Sequence, residues 1–204
     1  MRILQYKKHS KGELINKLRL VTLLHSSNTP NPIYVFKDAD IDLGYIPVES
    51  IVPSQFYYLK GSLSKVEEIE KAFKEHGVEL FNLNGFINYT SNENSINYNL
   101  LPVIIEYQKE KDGSINPIIL DGIHRVIMAR NQKRGKIQVV KISNVSKDFP
   151  YPGYVNSRGW EEVLPVQFPP EQKDKRNWRF SITEVNKYYR DLNSVFENLG
   201  GQRK

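Results

Sequence analysis

Apolar side chains recur every three to four positions in two segments near the ends of the chain. In residues 12–25, GELINKLRLVTLLH, this spacing predicts an amphipathic helix, which the polar stretch SSNTPNP (26–32) ends. Residues 181–199, SITEVNKYYRDLNSVFENL, show the same spacing and predict a C-terminal helix that Gly200 would end. We expect this second helix to cover its own domain, with a partner-binding helix as the alternative.

A third helical pattern runs through KVEEIEKAFKEH, residues 65–76. Ser64 and Glu67 have the spacing of a capping box, which predicts a helix start at this point. Gly77 suits the end of the helix, because glycine adopts the left-handed conformation there at low cost.

Four apolar runs predict strands, and their order predicts one mixed sheet. Asp112-Gly113 lies between the second and third runs and indicates a hairpin. The runs are residues 33–51, 100–108, 115–120 and 136–143.

Two further segments contain few regular signals. Residues 82–99 are rich in asparagine, which predicts a long loop or a ragged hairpin. Residues 148–170 are rich in proline and aromatic side chains and predict an irregular connector. The whole pattern predicts an α/β (α+β) fold, a mixed sheet with flanking helices and a C-terminal helical extension. We divide it into residues 1–40, a core at 41–147, and 148–204.

Composition excludes several classes of protein. The 204 residues are 39% hydrophobic and 25% charged, as in an ordinary globular domain. There is no cysteine, which excludes disulfides, thiolate metal sites and cysteine nucleophiles. No apolar run approaches the roughly 18–20 residues that span a bilayer. We therefore expect a cytoplasmic protein without a membrane partner.

The net charge of +6 is unevenly distributed. Residues 122–147 contain no acid, and residues 1–20 contain only one, Glu13. Such basic runs favour an anionic partner, either a nucleotide or a nucleic acid, with a solvated basic face as the alternative. The basic residues of the first run are Arg125, Arg130, Lys133, Arg134, Lys136, Lys141 and Lys147.

The sequence DGIHR, residues 121–125, joins a predicted strand to a predicted helix. A helix that begins at this point presents backbone N–H groups and a positive dipole end, which together bind anions. Gly122 allows a sharp turn, while Arg125 and His124 can donate to phosphate oxygens. Asp121 suits a Mg²⁺ ligand or a base near a hydroxyl. The alternative is an Asp-Gly turn followed by two surface residues.

The order of these segments resembles the ParB/sulfiredoxin-like superfamily over about residues 45–143. The resemblance depends on YIPVESIVP, on LLPVIIEYQ, and on INPIILDGIHR with its glycine turn. In ParB-like members the turn resembles G-E-R-R, and in the free serine kinases it resembles D-G-H-H-R, to which DGIHR is nearer.

The resemblance implies a set of site residues. Gly122, Ile123, His124, Arg125 and Arg130 would bind the nucleotide. Asp121 would hold Mg²⁺ and, with His124 and Glu49, take part in catalysis.

Three departures from the family pattern limit what carries over. Ile123 stands where sulfiredoxins have their reactive cysteine, which excludes sulfinic acid reduction. Gln55 stands near the position of the kinases' glutamate, and an amide cannot act as a general base. Residues 144–204 are too short and too proline-broken for the helix-turn-helix domain that follows in ParB clamps.

Three functional hypotheses remain. The first is a phosphotransferase that uses ATP, ADP or CTP with Mg²⁺ and acts on a hydroxyl of a small molecule, for example an amino acid. The second is a nucleotide-binding, DNA-associated ParB-like protein with nuclease or NTPase activity. The third is a binding module that kept the fold and lost the base. The sequence does not specify an oligomeric state.

Overall fold

The computed structural model describes residues 1–199, with only the backbone described at residues 94 and 95. The helices are α1 (Lys11–Leu18), α2 (Lys60–Lys74) and α3 (Ile123–Asn131). The strands are β1 (Ile3–Ser10), β2 (Thr22–Leu23), β3 (Asp40–Pro47), β4 (Tyr57–Leu59), β5 (Gly85–Ser91), β6 (Asn94–Leu100), β7 (Val103–Lys109), β8 (Ile115–Asp121), β9 (Lys136–Ser143), β10 (Leu164–Val166) and β11 (Arg190–Asp191). No helix within residues 1–199 is both long and apolar enough to cross a bilayer.

The main sheet has four strands in the order β3-β9-β7-β8. β7 and β8 form the hairpin that Asp112-Gly113 predicts, β7 runs parallel to β9, and β3 runs antiparallel to β9. The mixed sheet predicted from the four apolar runs is therefore confirmed, as is the α+β class.

The central strands β7 and β9 are buried on both faces. Ile105 and Val139 face a hydrophobic cluster that includes residues of α2 and α3. Ile104 and Val140 face a second hydrophobic cluster that includes residues of α1 and of 192–199. Side chains on a strand alternate between its faces, so β7 and β9 each contribute to both cores. This is why each strand contains adjacent buried apolar residues, Ile104-Ile105 in β7 and Val139-Val140 in β9.

A second sheet, β1-β5-β6, contains the asparagine-rich segment. Of the two predicted alternatives, the ragged hairpin is the one observed, with an irregular register between Tyr89 and Ser91. β1 pairs with β5 and joins the N-terminal residues to this hairpin. The proposed three-part division of the chain stays a prediction.

Two predicted helix boundaries are wrong. The first helix ends at Leu18, because the next apolar residues continue as the short strand β2, which pairs with β11. α2 begins at Lys60, so Ser64 lies inside the helix and caps nothing at its start. Gly77 does adopt the left-handed conformation just after α2, with φ of +66°.

The predicted C-terminal helix is also wrong. Residues 181–199 form short 3₁₀ turns and the two-residue strand β11. Leu192 and Phe196 are still buried, so the apolar pattern does mark the inward side chains. The path is irregular because it also carries Arg190 to Glu106, and both of these side chains are about 2% exposed or less. Gly200, the expected terminator, lies outside the described residues.

Candidate functional site

Gly122 forms the junction between β8 and α3. It adopts the left-handed conformation, with φ of +96°, and serves as the N-cap of α3. The Val126 N–H donates to the Gly122 carbonyl at 3.0 Å, which closes the first helical turn. The predicted helix start is confirmed. A Cβ at Gly122 would lie 2.8 Å from Nη2 of Arg125, so the side chain of Arg125 folds directly over the glycine.

Arg125 is engaged within the protein. Its Nη2 donates to Oδ2 of Asp121 at 2.7 Å, and its Nη1 donates to the Leu101 carbonyl. The two side chains are only 9% and 14% exposed. Burial lowers the pKa of Arg125, and the charge of Asp121 opposes that shift. Arg125 was expected to bind phosphate and Asp121 to bind Mg²⁺. In the structure the two side chains bind each other and so stabilise the turn.

His124 connects α3 to the beginning of α2. Its Nε2 accepts a hydrogen bond from the backbone N–H of Leu59 at 3.2 Å, and its ring meets the edge of Tyr58. A neutral imidazole that accepts through Nε2 carries its proton on Nδ1. Because Leu59 is the N-cap of α2, this bond places the first turns of α2 and α3 next to each other.

The first turns of α2 and α3 share two properties. Neither has a side-chain cap, and neither contains an acidic residue. α1 has both, because Ser10 and Glu13 form a capping box. The positive end of α2 is therefore not neutralised by an acid in its first turn, and the acid nearest the start of α3, Asp121, is paired with Arg125. Lys60 and Gly61 are exposed at this point, and a Cβ at Gly61 would meet only open space.

Two of the expected site residues lie elsewhere. Glu49 pairs with Arg130 at 2.8 Å, and the guanidinium of Arg130 lies over Trp160. Arg130 is in the last turn of α3, roughly 10 Å along the helix from its start at 1.5 Å per residue. The structure therefore does not bring Glu49 or Arg130 to the turn. Gln55 donates its amide to the Tyr57 carbonyl.

Asp121, the carboxylate of this turn, is paired with Arg125. Within residues 1–199, no three His, Asp or Glu side chains are grouped to hold a metal ion. A Mg²⁺ at Asp121 would take most of its ligands from phosphates and water, as it commonly does in nucleotide sites. The assignment of Mg²⁺ to Asp121 stays a prediction.

A cleft of about 1160 Å³ lies at the carboxyl ends of β7 and β9. Lys109, Lys147 and Tyr154 are among its lining residues. Asp121 pairs with Ile104 near the opposite end of β7, so the glycine turn lies away from this cleft. β8 returns antiparallel to β7 and so carries the turn to the other end of the sheet.

Sequence reasoning missed this cleft. Its basic residues come from the segment after α1, the β7–β8 hairpin, β9 with the segment after it, and Arg179, which are far apart along the chain. The local signals were the alternating charges of KEKD (109–112) and the end of the acid-free run at Lys141 and Lys147.

A known protein family matches most of the chain. The family model of the ParB CE domain matches residues 13–164, about three quarters of the chain. No curated protein matches the chain. The match spans the glycine turn, α2 and the whole main sheet, and it does not bear on the likeness to serine kinases. The chain belongs to the ParB CE domain family.

Proposed function

We propose that this domain binds the phosphates of a nucleoside triphosphate, with Mg²⁺, at the adjoining first turns of α2 and α3, and that it acts as a nucleotide-binding, DNA-associated protein. The observation that carries the proposal is that neither helix start has a side-chain cap or an acid in its first helical turn, and that Asp121, just before Gly122, is paired with Arg125. Backbone N–H groups at a helix start, reinforced by the helix dipole, favour a phosphate.

Each residue of the turn has a role in this proposal. The left-handed Gly122 brings the backbone close to the ligand, and exposed Lys60 supplies a positive charge beside it. The Asp121–Arg125 pair fixes the turn, and His124 holds α2 against α3. Arg125 would contact a phosphate only by leaving its buried partners.

Membership of the ParB CE domain family supports a ParB-like role. The phosphotransferase hypothesis has less support, because a kinase needs a base near the acceptor hydroxyl. Glu49 pairs with Arg130 at the far end of α3, and Gln55 donates to the backbone. We therefore favour the nucleotide-binding, DNA-associated function over small-molecule phosphorylation.

Two variants of Gly61 test the proposal. Gly61→Ala should raise the free energy of unfolding by up to about 1 kcal/mol, because alanine favours a helix over glycine. Gly61→Glu should be at least as stable as wild type, because an acid at a helix start interacts well with the dipole. The same acid would repel a phosphate, so we expect Gly61→Glu to bind nucleotide at least about tenfold more weakly.

Isothermal titration with ATP, CTP and ADP in the presence of Mg²⁺ measures these affinities, and urea unfolding measures stability. Gly61→Ala is the matched control, since it changes the backbone without adding charge. Equal affinity in the two variants would place the nucleotide elsewhere, and a wild-type protein that binds none of the three nucleotides would refute the proposal.

A further inference from the structure

Two cavities adjoin at the carboxyl ends of β7 and β9. The cleft of about 1160 Å³ and a second cavity of about 550 Å³ share the lining residues Glu110, Lys111, Tyr154 and Arg179. We call the two together the groove. Its continuity suits an extended polymer better than a compact small molecule.

Several acids of the groove are already neutralised within the protein. Glu106 pairs with Arg190 at 2.6 Å, Glu110 pairs with Arg179 at 2.8 Å, and Asp42 pairs with Lys11 at 2.7 Å. Asp40 and Asp112 accept hydrogen bonds from Asn144 and Ser114. The first three carboxylates are therefore neutralised by cations, whereas Asp40 and Asp112 keep their negative charge.

Three lysines of the groove have no such partner. Lys109, Lys111 and Lys147 are exposed and form no ion pair with residues 1–199. Lys109 and Lys111 lie on the β7–β8 hairpin, and Lys147 follows β9. The groove thus presents three cations from two separate segments to a ligand with repeated negative charge.

Flat side chains stand beside these lysines. The guanidinium of Arg179 lies 4.0 Å from the ring centre of Tyr154. The next residue, Phe180, stacks on Tyr188 with ring centres 3.9 Å apart and planes within 9° of parallel. Both Tyr154 and Phe180 line the cleft and are only partly buried. Such aromatic surfaces can continue a stack with nucleobases.

We propose that the groove binds single-stranded nucleic acid. Lys109, Lys111 and Lys147 contact its phosphates, and bases stack beside Tyr154 and Phe180. A recessed, aromatic groove fits unpaired bases better than an intact duplex, and the aromatic rings favour nucleic acid over an acidic peptide. This inference rests on the proposed association with DNA but not on the nucleotide site, which lies at the other end of β7.

Fluorescence anisotropy of a labelled 16-residue oligo(dT) strand tests the inference. The triple variant Lys109→Gln/Lys111→Gln/Lys147→Gln should bind at least about tenfold more weakly than wild type at low salt. The slope of log affinity against log salt should become shallower by about 2, since each phosphate contact to a single strand contributes about 0.7.

The control is Lys71→Gln/Lys74→Gln/Lys133→Gln, which removes the same charge from three exposed lysines outside the groove. It should bind nearly as wild type. A second variant, Phe180→Ala, removes no charge and should lower affinity about tenfold at an unchanged salt slope. Circular dichroism and urea unfolding establish that each variant is folded before binding is compared.

Three outcomes would overturn the inference. They are equal losses in the groove and control variants, displacement of the strand by poly-glutamate as readily as by unlabelled oligo(dT), and tighter binding of duplex than of single strand. Nucleotide titration separates the two sites, because the groove variant should bind ATP as wild type does and Gly61→Glu should retain the oligonucleotide. Loss of both nucleotide and oligonucleotide binding in Gly61→Glu would contradict a separate groove. Oligonucleotide binding by a protein that binds no nucleotide would refute only the proposed nucleotide site.

Discussion

Asp121 and Arg125 are four residues apart and neutralise each other where little water reaches them. Asp121→Asn would keep the shape of the turn and leave the guanidinium buried without a counter-charge. Removing one partner of a buried pair typically costs about 3–5 kcal/mol, so we expect a loss of this size in the free energy of unfolding. Urea unfolding measures it. Glu171→Gln, at a pair whose carboxylate is 76% exposed, is the control and should change stability by less than about 1 kcal/mol. An Asp121→Asn protein as stable as wild type would mean that other groups stabilise the buried charge of Arg125.

Glu13 belongs to the capping box of α1, and its contribution to stability depends on pH. The backbone N–H of Ser10, and then the side chains of His9 and Ser10, hold the pKa of this carboxyl at about 2, against an ordinary value of 4.5. A carboxyl whose pKa is lower in the folded state stabilises the fold above pH 4.5 and loses that contribution as the pH falls towards 2. Glu13→Gln should therefore lower Tm at pH 6 and match wild type near pH 2. Calorimetry over this range checks the convergence, with Glu67→Gln, an exposed acid of α2, as the control. Parallel pH profiles for wild type and Glu13→Gln would contradict the prediction.

At the scale of elements, Arg190 links residues 181–199 to β7. Arg190 donates to both carboxylate oxygens of Glu106 and to the carbonyls of Phe149 and Tyr188. Arg190→Met would leave Glu106 buried without its partner, and we expect a loss of about 3–5 kcal/mol. Lys187→Met breaks an exposed pair and should cost less than about 1 kcal/mol. Urea unfolding distinguishes the two, and near-equal losses would show that the segment is held chiefly by its apolar residues.

At the scale of the whole molecule, β7 couples two hydrophobic clusters. Ile104 and Ile105 are adjacent and both fully buried, yet they face different clusters. Ile104→Ala and Ile105→Ala should each cost about 2–5 kcal/mol, and each should shift the unfolding of the whole chain because the central strand is shared.

The two tryptophans report this cooperativity. Trp160 packs on the hydrophobic cluster that contains Ile105. Trp178 packs edge to face with Tyr189, near the C-terminal end of the chain. Single-tryptophan variants, with the other replaced by phenylalanine, should unfold in urea with coincident midpoints. Separate midpoints would divide the chain into units that unfold independently.

The sequence by itself determined the central part of the fold. Apolar runs separated by an Asp-Gly turn specified the β7–β8 hairpin, and the same pattern placed α3 directly after Gly122. These features follow from neighbours within about ten residues, so local spacing and turn chemistry are sufficient to predict them. The pattern predicted one mixed sheet, and the structure adds that β7 and β9 pair in parallel. The candidate site was predicted to this extent, as a glycine turn at a helix start.

The tertiary structure decided what the local pattern left open. Residues 181–199 have helical spacing, but burying Arg190 at Glu106 and pairing β11 with β2 override a weak helical preference. An arginine at a helix start suits a phosphate contact, yet Arg125 donates its hydrogen bonds to the carbonyl of Leu101 and the carboxylate of Asp121. The antiparallel return of β8 sets the glycine turn and the groove at opposite ends of the sheet. Glu106 is distant in sequence from Arg190, and Leu101 from Arg125, while the position of the turn depends on strand direction. Only the folded chain brings these groups together.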